Sequence, residues 1–270
     1  METSSLTQEM LVKMFASGKR FDGRKLMERR EVSIEYNVSN KAEGSARVRM
    51  GKTDVVVGVK IEVAEPYPDS LDKGNLMVSG DLLPMASPRF EAGPPKFNAI
   101  ELPRLVDRLV RESHMIDLKK LVIKEGEKVW MVIIDIYPIN DDGCLIDAAS
   151  IGAVAALLQT RIPELDENGR IDYSKKLTKK LPLVEGVLPL SFTFYKLGDT
   201  LLIDPTREEE EACEGKIIFG LSHYKGKDYM LHSCQKGLES PLNREEIEQM
   251  IGHLPKLYED TLKKLQKFLK

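Results

Sequence analysis

Residues 129–158 read VWMVIIDIYPINDDGCLIDAASIGAVAALL. The first dozen are apolar and β-branched, the signature of a buried strand. The last dozen are alanine-rich and carry no charge after Asp147, which predicts a buried helix running to about Thr160. Between them lies the acidic turn Asn140-Asp141-Asp142-Gly143. Free backbone N–H groups and the helix dipole converge at a strand-turn-helix junction, so such places often seat a phosphate. A phosphate seat calls for glycine, a hydroxyl and a cation, whereas this turn supplies two carboxylates and then Cys144, Leu145 and Ile146.

Outward from this junction the chain alternates β-rich blocks with helices. Leu6, Met10, Leu11 and Met14 predict an amphipathic opening helix. The block GSARVRMGKTDVVVGVKIEV predicts a hairpin turning at MGKT. Residues 64–95, rich in Pro, Gly and Ser, read as a long irregular segment, a kind that in compact domains is usually functional or interface-forming. Residues 98–115 predict a helix whose apolar face is Leu102, Leu105, Val106 and Leu109. The polar stretch from Arg161 to Gly186 marks the domain boundary, giving one domain over 1–185 and a second over 186–270. The second half predicts hairpins at LGD and KGKD, and Asn243 with Glu246 a capping box for a final helix that Pro255 kinks or splits. Hairpin-then-helix units in series imply an internally duplicated α+β chain.

The 270 residues are 42% hydrophobic, enough for well-buried cores. A net charge of -3 with 31% charged residues provides no global attraction for nucleic acid, so any such contact must be local. The odd, widely spaced Cys144, Cys213 and Cys234 make neither a disulfide framework nor a zinc site. No apolar run is long enough to span a bilayer, and the start of the chain lacks a signal-peptide core, so a soluble cytoplasmic protein without membrane or cofactor is expected.

Asp141 and Asp142 read as turn residues whose replacement costs little stability. The acidic run Glu208 to Glu211 reads as a solvated loop or helix start, and Lys175, Lys176, Lys179 and Lys180 as surface. The four histidines have no metal-binding spacing. Arg104, Arg108 and Arg111 fall at i, i+4 and i+7, along one strip of their helix. With Asp107 and Glu112 as partners they are surface decoration, and unpaired they form a ladder for phosphates.

RFDGRK, EGSARVRMGKTDVVVGVK, NAIELPRLVDRLVRES, INDDGCLIDAASIGAVAALL and LLIDPTREEEEACEGKIIFG resemble RNase PH-like proteins. More narrowly, AIELPRLVDR and LLIDPTREEEEA are similar to the non-catalytic ring subunits of the archaeal exosome. The resemblance implies two RNase PH-type βαβα halves (the ribosomal protein S5 domain 2-like fold). It also implies a ring of three heterodimers with a catalytic sister subunit, RNA-binding cap subunits and single-stranded RNA threaded for phosphorolysis from its 3′ end. Active members hold the attacking phosphate with a Gly-Ser/Thr-Arg triplet, which aligns with Cys144, Leu145 and Ile146. Their catalytic aspartate aligns with Lys216. By resemblance the site is therefore emptied, and Arg104 and Arg108 hold RNA near the neighbouring subunit's site. The competing reading is an autonomous metal-dependent hydrolase or phosphorylase using Asp141, Asp142 or Asp204.

Overall fold

The computed structural model describes residues 4–167, 169–175, 177–224 and 228–268. In chain order these form α1 (Ser5–Ala16), β1 (Val32–Tyr36), β2 (Gly44–Met50), β3 (Thr53–Ala64), β4 (Asn75–Gly80) and α2 (Phe97–Glu112). A short 3-10 turn leads to β5 (Val122–Lys124), β6 (Lys128–Asn140) and α3 (Leu145–Gln159). The two-residue strands β7 (Arg161–Ile162) and β8 (Lys179–Lys180) pair with each other, and β9 (Leu190–Leu197), β10 (Thr200–Ile203), α4 (Arg207–Ala212), β11 (Gly215–Tyr224), β12 (Asp228–Gly237) and α5 (Arg244–Leu265) follow.

The first sheet has the order β1-β2-β3-β6-β4, with β5 pairing β6. The second has the order β10-β9-β11-β12 and is antiparallel throughout. Val55, Val57, Val59 and Ile61 alternate on the inner face of β3, beside Val132, Ile134 and Ile136 of β6, all fully buried. Each such side chain contributes roughly 1.5–3 kcal/mol of burial.

Helix α3 packs on β2 and β3 on one side and on β9 on the other. A helix wedged between two sheets is apolar all round and must be slim, which explains its alanines and Gly152. A Cβ at Gly152 would come within 2.7 Å of Val57 Cγ2. Helix α2 lies beside α3 and reaches both β4 and β12. Its buried face is Leu102, Leu105, Val106 and Leu109, as its spacing predicts.

The MGKT and LGD turns close as hairpins, with Met50 opposite Thr53 and Leu197 opposite Thr200. For KGKD, Tyr224 pairs with Asp228, and residues 225–227 lie outside the described ones. Lys176 of the expected basic cluster also lies outside them, while Lys175, Lys179 and Lys180 are exposed.

Four expectations need correction. The 64–95 segment is not wholly irregular, because NLMVSG forms β4, parallel to β6. Six residues flanked by Gly and Asp carry too little periodicity to reveal a parallel strand, whose partner is distant in sequence. In α1, Leu11 and Phe15 are buried while Leu6 is 80% exposed, so the helix is rotated from the predicted face. Pro255 does not split α5, which runs unbroken for 22 residues from the Asn243–Glu246 capping box. The acidic run does start a helix, α4, but it is not wholly solvated, since Glu208 is exposed while Glu209 is fully buried.

Candidate functional site

The turn after β6 is built by buried ion pairs. Asp141 Oδ2 accepts from Arg89 Nη2 at 2.5 Å, and Asp141 Oδ1 accepts the Gly143 N–H at 3.1 Å. Asp142 is more open and meets Arg30 Nη1 at 3.3 Å. The two carboxylates therefore diverge, as neighbouring turn residues do. Asp141 is nonetheless more than a turn residue, because its side chain is wholly buried on a cation from the 64–95 segment. Removing one partner of such a buried pair is costly, so a small cost is no longer expected for Asp141 and remains the expectation for Asp142. Gly143 has φ +84°, and a Cβ there would meet Pro205 O at 2.5 Å, so only glycine fits.

Arg30 stitches this turn to the second half of the chain. Its guanidinium donates to Asp142 O, Gly143 O and Pro205 O, and to Asp204 Oδ1 at 2.6 Å. Asp204 is fully buried with φ +46°, and Arg24 donates to its Oδ2 at 3.0 Å. Arg20 holds Glu209 and the carbonyls of Ile203 and Asp204. Arg29 Nη2 meets Asp147 Oδ2 at 2.6 Å, and Asp147 also accepts from Ser191 and Thr193 hydroxyls. Burial pushes the Asp147 carboxyl up, opposed by Arg29 and those hydroxyls. The RFDGRK stretch and the arginines after it thus bind carboxylates of both halves. In sequence this appears only as a run of cations.

At the start of α3, Cys144 sits in the left-handed region with φ 57° and is fully buried. Burial pushes its thiol well up, so it stays neutral and is no nucleophile. Its N–H donates to Glu210 Oε1 at 3.3 Å, and the Tyr195 hydroxyl donates to the same oxygen at 2.5 Å. Arg89 reaches Glu210 Oε2 at 3.2 Å. A carboxylate from α4 therefore occupies the positive end of α3, where the dipole favours an anion.

Leu145, Ile146 and Lys216 come together around one pocket of about 250 Å³, also lined by Arg89, Tyr195 and Glu210. Lys216 Nζ pairs with Glu101 Oε2 at 2.7 Å and so ties β11 to α2. Glu210, Tyr195 and Arg89 are the members that the sequence pattern does not single out. The capping box of Thr206 and Glu209, which starts α4, is the local signal that could have turned Glu210 inward.

The arginine strip divides into three cases. Arg111 gives two bonds to Asp107, the shorter 2.6 Å, and one to Leu76 O at 3.0 Å. Arg108 is exposed and makes one bond, Nη1 to Gln235 Oε1 at 3.1 Å. Arg104 is exposed and meets no hydrogen-bonding partner or carboxylate among the described residues. All three line a single open groove with Leu76, Met77 and Val78 of β4.

Family models match both halves of the chain: 3′ exoribonuclease family domain 1 over residues 28–163 and domain 2 over residues 188–252. The chain belongs to the 3′ exoribonuclease family. Among this family, the Methanothermobacter thermautotrophicus protein "Exosome complex component Rrp42" is 42% identical over 248 residues, covering 92% of this chain and 89% of that one. The Archaeoglobus fulgidus protein of the same name is 47% identical over 204 residues, 76% of each chain. Among solved structures, a chain of "archaeoglobus fulgidus exosome with RNA bound to the active site" superposes with a TM-score of 0.85 at 38% identity, covering 98% of both chains. A chain of "Archaeal exosome core" gives 0.78 at 37% identity, covering 92% of this chain and 91% of that one. The α+β, RNase PH-like architecture is shared across this exoribonuclease family.

Proposed function

We propose that this chain is the non-catalytic subunit of a phosphorolytic 3′-to-5′ exoribonuclease ring of the archaeal exosome type. It alternates with a catalytic RNase PH-like sister in three heterodimers, works beside RNA-binding caps in the cytoplasm, and divides near residues 185 and 186. It performs no chemistry itself. It holds single-stranded RNA and completes the neighbouring subunit's site.

The observation that carries this reading is the state of the α3 N-terminus. Glu210 already fills the anion position, Leu145 and Ile146 offer no polar side-chain group, and Lys216 stands where the resemblance implies a carboxylate. Forcing a phosphate dianion beside Glu210 and two aliphatic side chains would be strongly unfavourable. Lys216, paired with Glu101, cannot supply the carboxylate the chemistry needs. The hydrolase reading fares poorly in the same geometry: Asp204 is saturated by Arg24 and Arg30, Asp141 is held by Arg89, and the more open Asp142 meets Arg30. No cluster of His, Cys, Asp or Glu suited to a metal occurs among the described residues. No helix of the described chain is long and apolar enough to cross a membrane.

On the outer side of α2, Arg104 meets no partner among the described residues and Arg108 only Gln235. They sit one turn apart, about 6 Å along the axis, close to the spacing of phosphates on a strand. Arg111 braces α2 against β4 rather than reaching outward. The test is incubation of the pure chain with RNA and inorganic phosphate. No nucleoside diphosphates should appear until the catalytic sister is added, and robust release by the chain alone would overturn the proposal.

A further inference from the structure

A second cationic surface lies away from the arginine strip. The segment carrying Arg24, Arg29 and Arg30, the last turn of α5 with Lys263 and Lys264, and Lys267 just beyond it line an open groove of about 650 Å³. Among the described residues, Glu28 and Glu31 oppose them on its walls. Arg24, Arg29 and Arg30 are held by Asp204, Asp147 and Asp142 beneath the surface, so the exposed positive charge of the groove is that of the three lysines.

The three lysines are exposed and have no carboxylate partner among the described residues. Lys264 Nζ rests on the Arg29 carbonyl oxygen at 3.3 Å, and Lys267 lies over the Phe268 ring. Lysines in the last turn of a helix complement its dipole, which accounts for Lys263 and Lys264 in α5. It does not account for the arginines. The Arg29 side chain is only 4% exposed, and while Nη2 is taken by Asp147 and Ser191 O, its Nε and Nη1 have no partner. Arg24 Nη2 is likewise buried and unpartnered. Stacking of Arg29 on Phe192, 4.8 Å from the ring centroid, relieves part of this deficit. Buried guanidinium N–H groups without acceptors are costly and rare.

We infer that this groove binds phosphate groups of single-stranded RNA, at a place separate from Arg104 and Arg108. An oxyanion between the lysines gains charge-assisted bonds, with the spare Arg29 donors lying beneath the same groove. The groove is open to solvent, which suits a strand's phosphodiesters better than an enclosed ion. The inference rests on the RNA-holding role proposed above.

The experiment uses the assembled complex and the triple change Lys263→Gln, Lys264→Gln and Lys267→Gln, which alters only exposed side chains. Affinity for a long homopolymeric RNA is measured at several salt concentrations, with ring integrity checked by mass. In parallel the double change Arg104→Ala, Arg108→Ala is measured alone and combined with the triple one. The triple change should weaken RNA about tenfold at low salt. The salt slope should fall by about 2 units, at roughly 0.7 per phosphate on a single strand. Its effect should add to that of the arginine pair. An unchanged affinity and slope for the lysine variant beside a clear loss for the arginine variant would overturn the groove alone. No loss from either variant would overturn the RNA-holding role as well. A variant that loses thermal stabilisation by inorganic phosphate but keeps its RNA affinity would make the groove a small-oxyanion site and overturn the RNA assignment. Loss of ring mass would make the groove a subunit contact and likewise overturn the RNA assignment.

Discussion

Arg20, Arg24 and Arg30 spend their guanidinium groups inside the molecule on Glu209 and Asp204, whereas Arg104, on the outer side of α2, meets no carboxylate among the described residues. The first group is structural because α4 and the 204–206 turn bring acids under it. The second remains available because the two acids three residues from Arg104, Glu101 and Asp107, are taken by Lys216 and Arg111. An arginine's role in this fold follows from which carboxylate reaches it first. The same rule separates Asp141, committed to Arg89, from the more open Asp142.

The largest effect should come from the interior. Asp204→Ala leaves Arg24 and Arg30 facing each other in a buried space, and removing one partner of a buried pair costs about 3–5 kcal/mol. Chemical denaturation of the purified chain checks this. A loss under about 1 kcal/mol, the ceiling for an exposed pair, would mean that the interior arginines are as loosely held as the outer ones, and the contrast would collapse.

The outer face should matter for binding and little for stability. Changing Arg104 and Arg108 to Ala removes contacts worth on the order of 1.5–3 kcal/mol each, less where solvent screens them. The salt slope of RNA binding by the assembled ring should fall by about 1.4 units. The denaturation midpoint should stay unchanged, because Leu102, Leu105, Val106 and Leu109 carry the packing. Affinity measured at several salt concentrations decides it, and an unchanged slope would reduce the strip to surface decoration.

Glu210 tests whether an interior position can be turned outward. Glu210→Ala should cost about 1–3 kcal/mol, since it strips the Tyr195 hydroxyl of its acceptor. It should also open the α3 N-terminus to an oxyanion. Inorganic phosphate at about ten times its dissociation constant would then restore about 1.4 kcal/mol to the variant and nothing to the parent. Thermal melts with and without phosphate distinguish the two. Equal responses would show that Glu210 does not occupy that seat.

The smallest effect concerns pH. Burial holds the His232 imidazole below its ordinary 6.5, with its Nε2 on the Ser222 hydroxyl at 2.7 Å. As pH falls below 6.5 the unfolded chain takes up the proton first, so this site's contribution to stability is present at neutral pH and declines on acidification. His232→Gln should flatten the stability profile between about pH 7 and 5 in denaturation curves. A steeper profile in the variant would reverse the sign of the coupling.

Local pattern determined a good deal in this protein. The alternation in β3 and the apolar face of α2 are legible because the side chains they bury repeat with the period of their own element, and the alanine-rich run of α3 and the capping box of α5 because their residue types are local signals. The missing polar triplet at Cys144, Leu145 and Ile146 is equally plain, since it is a matter of chemistry at adjacent positions. What only the tertiary structure decided are pairings across long separations. Glu210 reaches the N–H of Cys144 across 66 residues, Arg30 reaches Asp204 across 174, and Lys216 reaches Glu101 across 115. β4 joins β6 from within a proline-rich stretch for the same reason. A charge in sequence has no fixed partner. Its partner is set by which elements the two sheets and α3 bring within about 3 Å of it, where desolvation makes an unpaired group costly and a paired one specific.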